Sequence, residues 1–379
     1  MPFDPTSTVT ARHPETDRTG LVHVLADDGT LEQGAVDPGL SAEDEVGLYR
    51  SMVFTRTVGR AMEKLQRQGR VAFHVSSLGE EAAIVGSADA LTDDDWIVPC
   101  YREIGALFHR GYPLGRYLDM MFGNADDEAA GHQMPEHTSA RSHRYASVSA
   151  PIGTQITHAV GMAYALRLRR AEEVVAVYFG DGATSSNDFH AAMNMAAVWK
   201  TPTIFLCRNN RWAISLPTEE QTAAAHLVDK AIGYGMASVR CDGNDPLAVH
   251  VVVRDARRRA LEGRGPTFVE MMTYRESGHS TSDDPSVYRT DEEVNAFIGV
   301  DPVPRFRRRL EKRIGWDDAR EAALKLEIES TLKAAIDVAE KKPMPSLGTI
   351  FDHVFEERTP ELVRQLAQLR STPRPGGGR

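Results

Sequence analysis

The 379-residue sequence predicts an α/β protein: a parallel sheet with helices on both faces, preceded by an N-terminal arm and followed by C-terminal helices. Two observations carry this. Strand-like runs alternate with helical ones from about residue 71 onward, the signature of crossover-linked parallel strands. The runs Val174–Phe179 and Thr203–Cys207 are apolar at almost every position, as expected of strands covered on both faces rather than on one.

Residues 1–40 mix Pro, Thr, Asp and Gly without periodicity and read as an extended arm, with at most a short hairpin near Leu21–Leu31, available to pack on a partner. Ser41 followed by Glu43 and Asp44 has the form of a helix cap and acidic first turn, opening an amphipathic helix to about Gln68. The main domain, 41–345, starts there. Its expected elements are strand Val71–Val75, helix Gly79–Ala90, strand Trp96–Cys100 and helices over Arg102–Phe122. A polar loop spans 123–148, rich in His, Ser, Gly and Asp, and loops of that length in compact domains are often functional. Then come helix Gly153–Arg170, strand Val174–Phe179, helix Asp188–Trp199 and strand Thr203–Cys207. Strand Ala237–Cys241, helix Pro246–Glu262, strand Thr267–Met271, a polar loop Arg275–Thr290 and charged helices to about Lys342 follow. A C-terminal segment, 346–379, ends in a Pro/Gly-rich tail, Ser371–Arg379, of disordered composition.

A formal net charge of -10 supplies no basic field for a phosphate backbone, so nucleic acid is an unsuitable partner. No stretch approaches a membrane span, and the first residues lack the basic-then-apolar form of a leader. The three cysteines, Cys100, Cys207 and Cys241, are widely spaced in apolar runs and read as buried free thiols. These features together give the expectation of a soluble cytoplasmic protein.

Chemistry concentrates at two strand ends. Gly180-Asp181-Gly182-Ala183 closes one apolar strand, and Arg208-Asn209-Asn210 closes the next, one crossover helix later. Parallel strands put both motifs at the same sheet edge, where ligands collect. Glycines let a diphosphate approach the backbone, and the following helix start offers N–H groups. Asp181 and the Asn210 side-chain oxygen are hard ligands suited to magnesium, and Arg208 can neutralise further charge. Either motif alone is also an ordinary strand-end turn. A nicotinamide site is disfavoured, since no G-x-G-x-x-G opens a helix after a strand.

Tyr-Phe-Gly-Asp-Gly-Ala at 178–183, Cys-Arg-Asn-Asn at 207–210 and Tyr101-Arg102-Glu103 together resemble the alpha subunits of thiamine diphosphate-dependent 2-oxo acid dehydrogenases. The resemblance continues through Gly131-His132-Gln133-Met134-Pro135, Pro151-Ile152-Gly153-Thr154-Gln155, Arg240–Asp245 and Met272–Arg275. With Gly278–Asp284 and Tyr288-Arg289 it is nearest to the branched-chain enzyme, over about residues 45–355.

The resemblance implies the thiamine diphosphate-binding fold and a site residue by residue. Tyr101 and Arg102 bind the diphosphate, with Gly180, Gly182, Ala183 and Arg208 completing that shell. Asp181, Asn210 and the Trp212 carbonyl hold magnesium, and Ile152 supports the bent cofactor. It implies that His279, on a loop over the reacting carbon, donates to an oxyanion or exchanges protons. Ser149, Pro151, Thr154 and Gln155 match a potassium loop in relatives and read equally as a capped helix start. Ser280 and Thr290 align with phosphorylated positions, with no sign of a kinase acting here. Phe73 and His74 are candidates to shape the pocket, apolar packing being the alternative for Phe73.

The activity implied is oxidative decarboxylation of a branched-chain 2-oxo acid with acyl transfer to a lipoyl group. Pyruvate and acetoin enzymes share the machinery, and a non-catalytic scaffold is the alternative of another class. The expected partners are a beta subunit, in an α2β2 assembly that supplies an activating glutamate, and a lipoyl-bearing transacylase core. Departures from the family pattern are Cys100 for a common glutamine, Ala150 for serine, Ser186-Asn187 for Glu-Gly and Arg211-Trp212 for Gly-Tyr.

Overall fold

In the computed structural model, residues 20–372 are described. The strands are β1 (Trp96–Val98), β2 (Val175–Gly180), β3 (Thr203–Asn209), β4 (Trp212–Ala213), β5 (Leu216–Pro217), β6 (Ala237–Asp242) and β7 (Thr267–Met272). The helices are α1 (Ala42–Arg67), α2 (Glu81–Asp89), α3 (Ile104–His109), α4 (Leu114–Phe122), α5 (Thr154–Arg169), α6 (Asn187–Trp199), α7 (Thr218–Gln221) and α8 (Asp229–Ile232). They continue with α9 (Pro246–Leu261), α10 (Asp291–Ile298), α11 (Pro302–Ile314), α12 (Asp318–Ala339) and α13 (Pro360–Ser371).

Five strands form one parallel sheet in the order β1-β2-β3-β7-β6. Side chains alternate across it. Ala176, Tyr178, Ile204, Leu206, Val269 and Met271 face a core built with α1–α4 and α9. Val175, Val177, Phe179, Phe205 and Phe268 face the opposite core with α5 and α6. Every residue of β3 and β7 is buried, which explains the apolar runs Ile204–Cys207 and Phe268–Val269 within them. Each large side chain removed from water here contributes roughly 1.5–3 kcal/mol.

Ser41 caps α1 as a reciprocal box: Asp44 N–H donates to its hydroxyl at 3.1 Å, and Ser41 N–H donates to the Asp44 carboxylate at 2.9 Å. The helical span predicted for Arg102–Phe122 is resolved into α3 and α4, and all three cysteines are buried and free.

One expectation is corrected. Val71–Val75 is not a strand: the segment is irregular, and the backbone of His74 pairs instead with Thr281, donating at 3.1 Å to its hydroxyl and accepting from its N–H at 3.0 Å. The described part of the arm, from residue 20, packs on its own chain. Val22 bridges in parallel to Cys241, Leu25 pairs with Leu31 as the expected short hairpin, and buried Asp245 accepts from Val24 and Leu25 N–H at 2.8 and 2.6 Å. Residues 1–19 of the arm and 373–379 of the tail, whose disorder was expected from composition, lie outside the described residues. Among the described residues no helix is long and apolar enough to cross a membrane.

Candidate active site

The carboxyl ends of β1, β2, β3 and β7 lie side by side, so the segments that leave them converge. They enclose a cavity of about 330 Å³ lined by Tyr101, Arg102, Ile152, Gly180–Ala183, Arg208, Asn210, Trp212 and His279, together with Cys100, Ala213 and Ile214. Each residue that the sequence offered for the diphosphate, the magnesium and the reacting carbon lines this one cavity. The geometry of β2 and β3 accounts for it, since Gly180 lies opposite Arg208 in the parallel register. Gly182 must lack a side chain because a Cβ there would lie 2.9 Å from the Ala213 Cβ.

Beneath the cavity is a buried charge network that is not evident from the sequence. Glu80, at the start of α2, and Glu103, after β1, are both fully buried and both pair with the guanidinium of Arg208. Glu80 also accepts from the Asn210 amide at 2.9 Å, which turns the Asn210 oxygen toward the Trp212 N–H at 3.3 Å. Burial pushes the Glu80 carboxyl up, but Arg208 and Arg102 outweigh it and hold the group below the usual carboxylate range. The available signal was two acids opening an otherwise apolar helix, Gly79-Glu80-Glu81-Ala82, which looks like an ordinary acidic first turn.

Asp181 is also buried, yet the nearest groups are mild: Thr218 donates to one oxygen at 3.2 Å. Burial therefore raises its carboxyl to about 6. Arg208 keeps one buried donor, its Nε, without a hydrogen-bond acceptor among the described residues. A destabilised carboxylate and an unused guanidinium N–H on one cavity fit a cation and an anion bound together. The Trp212 carbonyl accepts from Arg275 at 3.3 Å, which leaves its second lone pair.

His279 is held over the same cavity. Its N–H donates to Asp283 at 2.6 Å, its carbonyl accepts from Arg102 at 2.6 Å, and its ring meets Tyr101 edge-on at 5.9 Å. Burial, with Arg102 and Arg275 nearby, lowers its pKa to about 4, so the imidazole is neutral at pH 7. Arg102 faces Nδ1 at 3.4 Å, which favours the tautomer with the proton on Nε2.

The potassium candidates stand beside the cavity. Thr154 lies within 2.6 Å of the Ser149 hydroxyl and 2.9 Å of the Pro151 carbonyl, so three oxygens converge. The Gln155 side chain is engaged elsewhere, accepting from Gly153 N–H at 3.1 Å and donating to the Tyr178 carbonyl at 3.2 Å. Phe73 and His74 do not line the cavity; His74 is buried against Glu136. Of the departures, Ser186 closes its local network by capping α6, accepting from Phe189 N–H at 3.2 Å and donating to the Ala183 carbonyl at 2.9 Å. Cys100 is buried with its thiol pushed up to about 12, and its N–H donates to Glu103 at 2.8 Å. Among the described residues no three His, Cys, Asp or Glu side chains form a metal site by themselves, so a cation here requires amide, carbonyl or ligand oxygens as well.

A family model described as "Dehydrogenase E1 component" matches residues 49–347. The chain belongs to this family. Among relatives of the E1 component, the 2-oxoisovalerate dehydrogenase subunit alpha, mitochondrial, of Bos taurus is 41% identical over 350 residues, covering 92% of this chain and 77% of the relative. The Homo sapiens protein of the same name is 40% identical, covering 92% and 79%. That of Dictyostelium discoideum is 40% identical over 348 residues, covering 91% and 79%. The matched E1 region contains the whole lining of the cavity, from Cys100 to His279.

Proposed function

We propose that this chain is the alpha subunit of a thiamine diphosphate- and magnesium-dependent dehydrogenase that oxidatively decarboxylates branched-chain 2-oxo acids such as 2-oxoisovalerate, passing the acyl group to a lipoyl arm. The observation that carries the reading is one cavity in which Asp181, Asn210, Arg208, Arg102 and His279 meet, in an E1 component 40% identical to 2-oxoisovalerate dehydrogenase alpha subunits.

Thiamine diphosphate, when bound, supplies the carbon nucleophile and electron sink for decarboxylation. The chain's own residues bind, orient and shield. Asp181, the Asn210 oxygen and the Trp212 carbonyl would hold magnesium, with Glu80 fixing the Asn210 amide so that its oxygen remains available. Arg102 and the Arg208 Nε would meet the diphosphate together with Tyr101 and the Gly180–Ala183 backbone, while Ile152 would support the cofactor from the apolar wall. His279, neutral and protonated on Nε2, is suited to donate a hydrogen bond to a developing oxyanion.

A potassium ion beside α5 is supported by the convergence of the Ser149 and Thr154 hydroxyls with the Pro151 carbonyl. The partners we propose are a beta subunit in an α2β2 assembly, contributing the acid that activates the cofactor, and a lipoyl-bearing transacylase core. Buried free thiols support a reducing, cytoplasmic compartment for this chain, whereas the relatives' names assign those proteins to mitochondria.

The test is a titration of thiamine diphosphate into the complex with the beta subunit, with and without magnesium, read by the fluorescence of Trp212 at the cavity. Saturable, magnesium-dependent quenching that Asp181→Ala abolishes supports the reading. Quenching indifferent to magnesium and to Asp181 would overturn it.

A further inference from the structure

His74 and Glu136 form a buried pair that no step above uses. The imidazole Nδ1 lies 2.5 Å from Glu136 Oε1, and the Tyr117 hydroxyl donates to the same oxygen at 2.7 Å. All three side chains are within 2% of full burial. Glu136 adopts a left-handed φ of +69°, uncommon for a residue with a side chain, so the local backbone is bent to deliver its carboxylate. The His74 ring is thus fixed between α4 and the 131–138 loop, and its backbone cannot shift independently.

That backbone is one side of a clamp. His74 exchanges two hydrogen bonds with Thr281, two residues beyond His279. Flanking this pairing, the carbonyls of Ser76 and His279 both accept from the guanidinium of Arg102, the latter at 2.6 Å. Two neutral carbonyls orient the cation at one end of the guanidinium, while its Nε lies 3.8 Å from the Glu80 carboxylate. We propose that His74, anchored by Glu136 and Tyr117, is a positioning residue: it holds the His279 loop against segment 74–76 and so aims Arg102 into the cavity. The proposal rests on the reading of Arg102 as a diphosphate ligand for its effect on affinity, but not for its effect on the loop.

The test uses the assembled complex with the beta subunit and two readouts, amide hydrogen exchange over residues 277–285 and the Kd for thiamine diphosphate with magnesium. His74→Phe keeps a ring and removes the anchor; Thr281→Val removes only the hydroxyl acceptor and leaves the buried pair intact. Glu136→Gln retains an oxygen for both donors and is the conservative control. Loss of one such bond to an otherwise ordered segment is worth about tenfold. We expect His74→Phe and Thr281→Val each to speed exchange of the loop and to weaken the cofactor about tenfold, with Glu136→Gln close to the parent. The double variant His74→Phe/Thr281→Val should be no worse than His74→Phe, because both act on one contact. Loop exchange and affinity unchanged in folded Thr281→Val, or in folded His74→Phe, overturn the proposal. If the parent complex binds no thiamine diphosphate, the proposed function fails while the exchange measurement still decides the anchor.

Discussion

Arg208 and Glu80 form a fully buried ion pair under the cavity, and the same carboxylate orients the Asn210 amide at 2.9 Å. One acid therefore ties the residue offered to the diphosphate to the one offered to the metal. Glu80→Ala leaves Arg208 with Glu103 as its remaining carboxylate and leaves the Asn210 amide without its acceptor. Removing one partner of a buried pair costs on the order of 3–5 kcal/mol, and Glu103 should offset part of this. We expect the loss in denaturant unfolding, together with weakened magnesium-dependent cofactor binding. Unchanged stability and binding would contradict the role assigned to Glu80.

Asp181 trades stability for function. Its folded pKa of about 6 lies above the ordinary 3.8, so its contribution to stability is complete below about 3.8 and is lost as pH rises toward 6. Asp181→Asn should raise the melting temperature of the cofactor-free protein at pH 7 while removing magnesium-dependent binding. In the parent, magnesium-dependent affinity should fall as pH drops through 6, because the carboxyl must lose its proton to bind the ion. A pH-independent affinity between 5 and 7.5 would count against Asp181 as the ligand.

His279, with a pKa lowered to about 4, is neutral throughout the working range. Because the unfolded chain takes up this proton near 6.5, the depressed value contributes a loss of stability as pH falls from there toward 4. NMR of labelled histidine in the cofactor-free protein should show no titration of this ring above pH 5. His279→Ala should lower kcat at least ~100-fold with cofactor affinity largely kept. A ring titrating near 6.5 would remove the argument for a neutral donor.

Arg275 joins the two halves of the site. It donates to the carbonyls of Trp212 at 3.3 Å and Ile214 at 2.7 Å, and to the Tyr288 hydroxyl at 2.7 Å, while Tyr288 donates to the Asp283 carboxylate that receives His279 N–H. Ile214 has a φ of +58°, a strained value for a β-branched residue, and the arginine helps to hold it. Arg275→Met should raise the KM for thiamine diphosphate about tenfold and loosen both the 212–214 turn and the 277–283 loop in hydrogen exchange. An effect confined to one of the two segments would show that they are not coupled through this residue.

The strands β2 and β3 and their terminal motifs were legible because buried parallel strands are apolar throughout and because Gly-Asp-Gly has few other uses at a strand end. The Val71–Val75 segment differs from the expected strand for a physical reason: a short apolar run signals burial, but a strand also needs a neighbour, and here the backbone of His74 pairs only with the loop residue Thr281 among the described residues. The β4–β5 hairpin was invisible since its turn passes through left-handed Ile214, a residue that no turn rule favours. Glu80 and Glu103 were hidden because acids near a helix start are common and only packing shows that these two are buried. His74 stands out in the sequence just before the α2 helix, yet its partner Glu136 lies in a loop whose path the sequence does not reveal.

The most direct measurement is turnover by this chain co-expressed with its beta subunit, with an artificial electron acceptor and with 3-methyl-2-oxobutanoate or pyruvate as substrate. The expected result is oxidation that requires both thiamine diphosphate and magnesium, prefers the branched acid, and is absent from the alpha chain alone. A preference for pyruvate would keep the chemistry and contradict the substrate. No activity with either acid, in a formed complex that binds the cofactor, would contradict the central claim.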